Sequence, residues 1–181
     1  MIIRAAREGD AAALAGIYGD ACLHGLGTFE EAPPSPQEMW GRVSAVTERG
    51  LPYLVAEVDG TVAGFAYAAP FRLRAAYRYT VEDSVYIHPN HKGRGVGRAL
   101  LSRVVEACEA MGLRQIMAVI GDSGNEGSIG LHRSLGFEMR GSMPAVGYKH
   151  GRWVDIVFMQ RALNAGAESA PDAAGLRLHG H

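Results

Sequence analysis

The sequence predicts a mixed α/β fold: a central, mostly antiparallel sheet of six to seven strands flanked by about four helices. Three observations support this prediction. Apolar segments of strand length are interspersed with helical patterns along the chain. The dipeptide Asp59-Gly60 between two such segments is a strong hairpin signal. In the second half, strand and helix patterns follow one another in the order strand, helix, strand, helix, which is typical of a parallel pair within the sheet.

The N-terminal segment predicts one strand and two helices. Residues 2–5 form a short strand candidate, and Asp10 is positioned to cap a helix with one apolar face. Residues 25–36 interrupt the helical pattern. The sequence Ser35-Pro36-Gln37-Glu38 then matches a capping box, so we expect a second helix that ends at Gly50.

The middle of the chain predicts a hairpin, an exposed loop and a further strand. The hairpin strands are residues 53–58 and 61–69. Residues 70–77 have the composition of an exposed loop that contains arginines. Residues 80–87 form the next strand, and a glycine-rich turn leads from it into an amphipathic helix that Gly112 ends.

The C-terminal third predicts the remaining elements. Residues 113–120 are a continuous apolar run, which suits a buried parallel strand. Asn125 opens a helix that reaches Leu135. Residues 137–143 and 153–160 flank a connection rich in Pro and Gly, and we expect them to close the sheet as an antiparallel pair.

Length and composition indicate one domain, residues 1–163, followed by a flexible tail, residues 164–181, with little to bury. The net charge of −1 at pH 7 gives no basic field that would favour nucleic acid. Cys22 and Cys108 show neither disulfide nor metal spacing, so we expect no metal and two buried free thiols. No apolar run approaches the roughly 18 residues of a membrane helix. Together these features predict a cytoplasmic protein that contacts neither nucleic acid nor membrane.

The glycine-rich turn is the clearest candidate binding site. Gly93, Gly95 and Gly97 alternate, so the backbone can approach a ligand and point N–H groups at a pyrophosphate. Arg94 and Arg98 add positive charge. The turn lacks both the third glycine of the dinucleotide motif and the Gly-Lys-Ser/Thr of the P-loop. We therefore expect a different nucleotide-like, anionic ligand.

Four motifs in fixed order suggest a family. They are Lys92 with Gly95 and Gly97, Tyr77–Tyr86 (YRYTVEDSVY), Asn125 with Leu131–Phe137 (LHRSLGF), and Val146–Asp155 (VGYKHGRWVD). Over residues 2–163 the chain resembles the GCN5-related N-acetyltransferases (GNAT), in particular the branch of phosphinothricin and methionine sulfoximine or sulfone acetyltransferases. The superfamily signature has Gln or Arg where this chain has Lys92. The resemblance implies the GNAT fold, acetyl-CoA as cosubstrate and a homodimer.

The resemblance also implies two catalytic residues. Glu82 would act as the general base that accepts the ammonium proton of the acceptor, directly or through water; the alternative is a surface carboxylate on a strand. His132 occupies the place where many members of the superfamily have a tyrosine that protonates the leaving thiolate. An imidazole titrates near neutral pH and can do the same, while a packed, hydrogen-bonded histidine is equally compatible with the sequence.

Acetyl-CoA contacts follow from the resemblance. The residues are Val85, Tyr86 and Ile87 for the pantetheine arm, Lys92, Gly93, Arg94, Gly95, Val96, Gly97 and Arg98 for the pyrophosphate, and Asn125 and Ser134. Asn125 is also a good helix cap, and Arg98 could be a solvated helix residue.

Substrate contacts are expected around the loop before Glu82. The residues are Phe29, Arg72, Arg74, Ala75, Ala76, Tyr77 and Arg78. Cations in this loop suit the carboxylate of an amino acid or a phosphinate-like oxyanion, although arginines on a loop are often only solvated. The late motif containing Lys149, His150, Trp153 and Asp155 lies near the active site and the dimer contact in relatives, with no defined role here.

The leading hypothesis is an enzyme that acetylates the α-amino group of a small amino acid analogue such as phosphinothricin, methionine sulfoximine or methionine sulfone. Two alternatives stay open at this point. One is an N-acetyltransferase for another amine, including a protein N-terminus. The other is a catalytically silent module that binds acyl-CoA, although the presence of Glu82 argues against it.

Overall fold

The computed structural model describes residues 1–178 and contains a seven-stranded mixed sheet. The strands are β1 (Ile2–Ala5), β2 (Tyr53–Val58), β3 (Thr61–Pro70), β4 (Thr80–Ile87), β5 (Gln115–Gly121), β6 (Glu138–Lys149) and β7 (Arg152–Ala162). The α-helices are α1 (Ala11–His24), α2 (Pro36–Thr47), α3 (Val96–Ala110) and α4 (Glu126–Ser134). The strand order is β1-β2-β3-β4-β5-β7-β6, with β4 and β5 parallel and the other neighbours antiparallel. The predicted fold class is confirmed.

Helices cover both faces of the sheet because alternate strand residues point to opposite sides. Phe65 packs with α1 and α2, while the next residue, Ala66, belongs to the apolar cluster formed with α3. Leu14 of α1 and Leu100 of α3 are fully buried in these two clusters. Each face of the sheet therefore has its own hydrophobic core, and any group on β4 belongs to one core or the other.

Two local predictions are confirmed and one needs correction. Ser35 and Glu38 form the expected capping box at the start of α2. Asp59 and Gly60 both have positive φ, at 50° and 76°, as a two-residue hairpin requires. Asp10, however, does not cap α1 with its side chain. Its carboxylate instead accepts hydrogen bonds from Arg4, because the paired guanidinium is a stronger partner than a helix N–H.

The hairpin of β6 and β7 is longer than predicted. The expected connection after Met143 is part of β6, which continues to Lys149 through an irregularity in register between Met143 and Gly147. Only the turn His150-Gly151 separates the two strands. The Pro and Gly residues of this segment therefore mark an irregular edge strand, where a missing ladder N–H is tolerated, and not a loop.

The parallel pair β4–β5 separates part-way along its length. Its register runs from Thr80 opposite Gln115 to Asp83 opposite Ala118. Beyond that point β4 remains paired with β3 through Ile87, and β5 remains paired with β7 through Gly121. We refer to the gap between residues 84–87 of β4 and residues 119–121 of β5 as the β4–β5 cleft.

Residues 164–178 lie against the domain. The Arg114 guanidinium donates hydrogen bonds to the carbonyls of Gly166 and Ala170, and the N–H of Leu176 donates to the carbonyl of Arg78. Leu176 and Leu178 are buried, although the composition of this segment predicted little burial. Residues 179–181 of the expected tail lie outside the described part of the chain.

Two further features concern the predicted environment. Cys22 and Cys108 are buried free thiols, as expected, and burial raises the pKa of Cys108 to about 12. None of the helices formed within residues 1–178 has the length and apolar character needed to cross a bilayer.

Candidate active site

Glu82 lies on β4 one residue before the pairing with β5 ends. Glu82, Ser84 and Tyr86 share one face of the strand. That face packs on α1, since the ring of Tyr86 meets the ring of Tyr18 at 4.9 Å. Burial raises the pKa of Glu82 to about 6, with a smaller contribution from the charge of Asp83, while Arg72 acts in the opposite direction. A half-buried carboxylate with this pKa is ionised at neutral pH and can take up a proton.

Asp83 points to the opposite face of the sheet and binds His132 of α4. The Nε2 atom of His132 is 2.9 Å from Oδ2 of Asp83, and both side chains are almost completely buried. The ring of His132 also packs edge-on against Phe137. This pair fastens α4 to β4 at the last residue before the β4–β5 cleft.

The hydrogen bonds of His132 define its protonation. Nδ1 is 2.7 Å from the carbonyl oxygen of Ser128, which can only accept, so Nδ1 carries a hydrogen. A neutral ring would then direct the lone pair of Nε2 at the carboxylate of Asp83. The contact therefore requires a further proton, and it raises the pKa of His132 against the opposing effect of burial. At 3% exposure and with both nitrogens bonded, the geometry favours the packed histidine over the acid role.

The glycine-rich turn has the expected backbone conformation. Gly93 and Gly95 have φ values of 72° and 79°, which residues other than glycine rarely adopt. A Cβ on either residue would meet no protein atom within 4 Å, so the space above the turn is open to a ligand. Lys92 and Arg94 are exposed beside it, whereas the side chain of Val96 is buried, which leaves only its backbone for such a contact.

Val85, Tyr86 and Ile87 form the β4 side of the cleft. Their backbone pairs with β3, and the register with β5 has already ended at Asp83. The ring of Tyr86 stacks on Phe65, so the side chains at these positions belong to the cores. The main-chain edge that faces the cleft does not pair with β5, so it can hydrogen bond an extended ligand.

Asn125 and Ser134 lie at the two ends of α4. The Oδ1 atom of Asn125 accepts the N–H of Ser128, which confirms the cap and leaves its amide nitrogen directed toward Gly27. The Arg98 guanidinium donates a 2.8 Å hydrogen bond to Oγ of Ser134. Arg98 and Ser134 thus connect α3 with α4 on the same side of the cleft, so Arg98 is not merely solvated.

The loop before β4 places one arginine close to the candidate base. Arg72 is the cation that lowers the pKa of Glu82, and its guanidinium lies 4.4 Å from the centroid of the Phe71 ring. Tyr77 packs edge-on against Phe71. The Arg78 guanidinium instead donates to the carbonyl of Ala75 and lies over the ring of Tyr79. Arg74, Ala75 and Ala76 are exposed on the same loop.

Phe29 lies on the α1–α2 loop (residues 25–35), which crosses the end of β5. A Cβ on Gly121 would lie 2.1 Å from the carbonyl oxygen of Leu26, so the loop rests directly on the strand. The ring of Phe29 occupies the space above Gly147 of β6, where a Cβ would be 2.3 Å from the ring. The loop therefore covers the open end of the sheet near the cleft.

Sequence reasoning missed the polar network that holds this loop. The Tyr18 hydroxyl donates to Glu30 at 2.8 Å and is 2.9 Å from Oγ1 of Thr28. Arg42 of α2 forms two hydrogen bonds with Glu30. Lys149, at 1% exposure, donates to the carbonyl of Thr28. The late motif was the only signal in the sequence for Lys149, and it gave no partner.

Within residues 1–178, no three His, Cys, Asp or Glu side chains come together in a group that could hold a metal ion. The site instead combines a carboxylate that can exchange a proton with a backbone edge and an open glycine turn. This combination suits proton abstraction from an amine beside an extended anionic ligand.

Comparison with known proteins identifies the family. Residues 14–137 match the model of the acetyltransferase (GNAT) family. The protein belongs to this family. Its sequence is 49% identical over 94% of the chain, and 86% of the relative, to a phosphinothricin N-acetyltransferase of Alcaligenes faecalis. It is 42% identical over 96% of the chain, and 99% of the relative, to an L-methionine sulfoximine/L-methionine sulfone acetyltransferase of Salmonella typhimurium.

A solved structure agrees with this assignment. The phosphinothricin acetyltransferase of Sinorhizobium meliloti in complex with acetyl-CoA superimposes with a TM-score of 0.92 and 47% sequence identity, covering 96% of this chain and 94% of that one. The resemblance seen in the sequence motifs is thereby confirmed at the level of both family and fold.

Proposed function

We propose that this acetyltransferase transfers the acetyl group of acetyl-CoA to the α-amino group of a small amino acid analogue, such as phosphinothricin, methionine sulfoximine or methionine sulfone. The observation on which the proposal chiefly rests is the position of Glu82, a half-buried carboxylate of raised pKa on β4 at the point where the β4–β5 cleft begins. The names of the similar proteins indicate the substrate class.

Glu82 is the proposed general base. An α-ammonium group is protonated at neutral pH and becomes nucleophilic only after it loses a proton. With a pKa of about 6, Glu82 is ionised at pH 7 and can accept that proton, directly or through one water molecule. We also propose that the acetyl group passes directly to the bound amine and not through a cysteine thioester, because both cysteines within residues 1–178 are buried in the two cores.

The β4–β5 cleft is the proposed donor site. Bound acetyl-CoA would supply the activated thioester carbonyl. The free main-chain edge of Val85, Tyr86 and Ile87 would hydrogen bond the pantetheine arm and hold the thioester oxygen. The N–H groups of the glycine turn and the N-terminus of α3, with Arg94 beside them, would hold the pyrophosphate.

The proposed acceptor site lies between the α1–α2 loop and the loop before β4. Arg72 is close enough to Glu82 to lower its pKa, so it is suited to bind the carboxylate or the second oxyanion of the acceptor. Phe29 and Tyr77 provide aromatic walls. Acetylation would remove the ammonium charge of such an analogue, and detoxification is the biological role that we propose.

Turnover with defined acceptors tests this function. Free-thiol release from acetyl-CoA is followed with methionine sulfone, phosphinothricin, a panel of natural amino acids and a peptide with a free N-terminus. We expect the highest kcat/KM with the sulfone or the phosphinate. Preference for the peptide would instead favour an N-terminal acetyltransferase, and tight acetyl-CoA binding without thiol release would favour the silent module.

A homodimer is also proposed, with the β6 edge as its contact. Large apolar side chains are exposed along this hairpin, including Met139, Met143, Tyr148 and Trp153, the last at 66%. An exposed edge strand of this composition is otherwise prone to uncontrolled association. Light scattering is expected to give the mass of a dimer for the unsubstituted protein and the mass of a monomer for the Trp153→Glu variant.

A further inference from the structure

We propose that Lys149 is a positioning residue for the acceptor site: its buried ammonium group fixes the α1–α2 loop and thereby the wall formed by Phe29. This inference deepens the proposed function and rests on it for the identity of the acceptor. It gives a role to the late motif, whose lysine the sequence left without one.

The contacts of Lys149 are with backbone of a distant segment. Its Nζ atom donates to the carbonyl oxygen of Thr28 at 2.7 Å and reaches that of Ala21 at 3.4 Å. The residue is the last of β6, and the tight turn His150-Gly151 follows it. An ammonium group is rarely buried at 1% exposure, because its loss of hydration has to be compensated by such hydrogen bonds. The hairpin therefore holds one defined point of the loop.

The fixed point lies directly beside Phe29. Thr28 is buried, and its hydroxyl accepts the N–H of Glu30. The hydroxyl oxygen of Tyr18 is 2.9 Å from Oγ1 of Thr28. Its backbone carbonyl is the acceptor for Lys149. Both the carbonyl and the side chain of Thr28 are thus held, one from β6 and the other from α1. The side chain of the next residue, Phe29, lies over Gly147.

Gly147 forms the second half of this arrangement. Any Cβ at this position would overlap the ring of Phe29, with three ring atoms within 2.7 Å. The backbone of Gly147 is not in the left-handed region, so its conformation does not require glycine. Glycine is needed here because the ring of Phe29 occupies the space of a Cβ. Lys149 and Gly147, two residues apart on β6, act on adjacent residues of the same loop.

The same hairpin contacts the other side of the cleft through different residues. On β7, Asp155 accepts the N–H of Ser123, and Arg152 forms an ion pair with Asp122 at 3.1 Å. These contacts hold the β5–α4 loop, which leads into Asn125 on the proposed donor side. Substitutions at Lys149 and at Asp155 therefore affect the same hairpin but should change different sites, the acceptor site for Lys149 and the donor site for Asp155.

Steady-state kinetics separates positioning from general stability. Lys149→Met keeps the length of the side chain and removes the ammonium group. We expect KM for the acceptor to rise about tenfold, from the loss of a charged hydrogen bond, while KM for acetyl-CoA changes less than twofold. Gly147→Ala, which displaces Phe29 without touching a charge, should give the same pattern. Asp155→Ala, which removes the side-chain acceptor of the Ser123 N–H, should raise KM for acetyl-CoA instead.

Arg103→Met is the matched control, because it replaces an exposed cation on α3 that pairs only with Glu106 among the described residues. It should leave both KM values unchanged. Equal changes of the two KM values in Lys149→Met, or a lower kcat with an unchanged acceptor KM, would overturn the proposal.

Hydrogen exchange measured by mass spectrometry gives a second test that needs no substrate. In Lys149→Met, amides of residues 25–31 should exchange at least tenfold faster, while those of residues 100–108 on α3 keep their rates. If residues 25–31 exchange at the same rate in Lys149→Met as in the unsubstituted protein, the proposed role of Lys149 is contradicted. This holds even if the unsubstituted protein acetylates its acceptor. If the natural chain acetylates none of the acceptors, the proposed function fails, and the exchange result still decides whether Lys149 orders the loop.

Discussion

The two sides of the candidate active site are built in different ways. The donor side consists mainly of main chain from one continuous stretch, in which β4, the glycine turn and the start of α3 follow one another. The acceptor side combines side chains from the α1–α2 loop, the loop before β4 and the end of β6, with contacts such as Lys149–Thr28 that span 121 residues. Backbone geometry therefore forms the proposed donor site, whereas tertiary packing of side chains forms the proposed acceptor site.

Glu82, where the two sides meet, should give the largest effect. Glu82→Gln is expected to lower kcat/KM about 1,000-fold at pH 7.5, within the range for loss of a general base. Because the pKa of Glu82 is about 6, the carboxylate is protonated below that value, and kcat/KM of the natural enzyme should fall as the pH decreases through 6. This acid limb should disappear in the variant. A pH profile identical in both proteins would remove Glu82 from the mechanism.

His132 tests whether the buried pair belongs to the scaffold or to the chemistry. His132→Phe leaves Asp83 buried without a partner and should lower the free energy of unfolding by about 3 kcal/mol, with less than a tenfold change in kcat. The pKa of His132 is raised in the folded protein, so the stabilisation that the His132–Asp83 pair provides is complete at pH values below the pKa of histidine in the unfolded chain. It is lost as the pH rises through the pKa of His132 in the folded protein. Denaturant unfolding at pH 6 and pH 9 should show the difference.

Asp83→Asn is the control for this pair. An amide at position 83 can donate to Nε2 of a neutral His132, so the hydrogen bond survives without the extra proton. We expect a small loss of stability that no longer varies between pH 6 and pH 9. A loss of kcat beyond 100-fold in stably folded His132→Phe would assign the ring to catalysis.

Gly95 tests the dependence of the donor side on main chain. Gly95→Val forces a β-branched side chain into a φ of 79° and fills the open space above the turn, so Kd for acetyl-CoA should rise about 100-fold by calorimetry. Gly60→Val introduces the same strain at a φ of 76° in the β2–β3 hairpin. Both variants should lose about 1–2 kcal/mol of stability. Weaker acetyl-CoA binding in Gly60→Val as well would attribute the effect to stability alone.

Arg72 should give the smallest effect, confined to the acceptor side. Arg72→Gln is expected to raise KM for the amino acid about tenfold, as for a lost charged hydrogen bond, and to leave KM for acetyl-CoA unchanged. Since Arg72 lowers the pKa of Glu82, the acid limb of kcat/KM should also move to higher pH. Arg103→Gln is the exposed control. If only KM for acetyl-CoA changed, Arg72 would belong to the donor site and the assignment to the acceptor site would be wrong.

Much of this molecule could be predicted from local sequence. The capping box at Ser35, the Asp59-Gly60 hairpin and the glycine turn each depend on residues within a few positions of one another, and the structure contains all three. The Pro and Gly residues between Met143 and Lys149 were misinterpreted as a loop, because local composition does not distinguish a loop from an irregular edge strand.

The sequence by itself determined the order of elements, the family and the conformation of the donor turn, because periodicity, turn chemistry and motif spacing are properties of neighbouring residues. Only the tertiary structure decided what packs on each face of β4, so that Glu82 shares a face with Tyr86, which contacts Tyr18 of α1, while Asp83 binds His132 on the other face. It also decided the partner of Lys149. A buried charge is stabilised by whatever the fold brings to it, and here those groups are carbonyls more than 100 residues away.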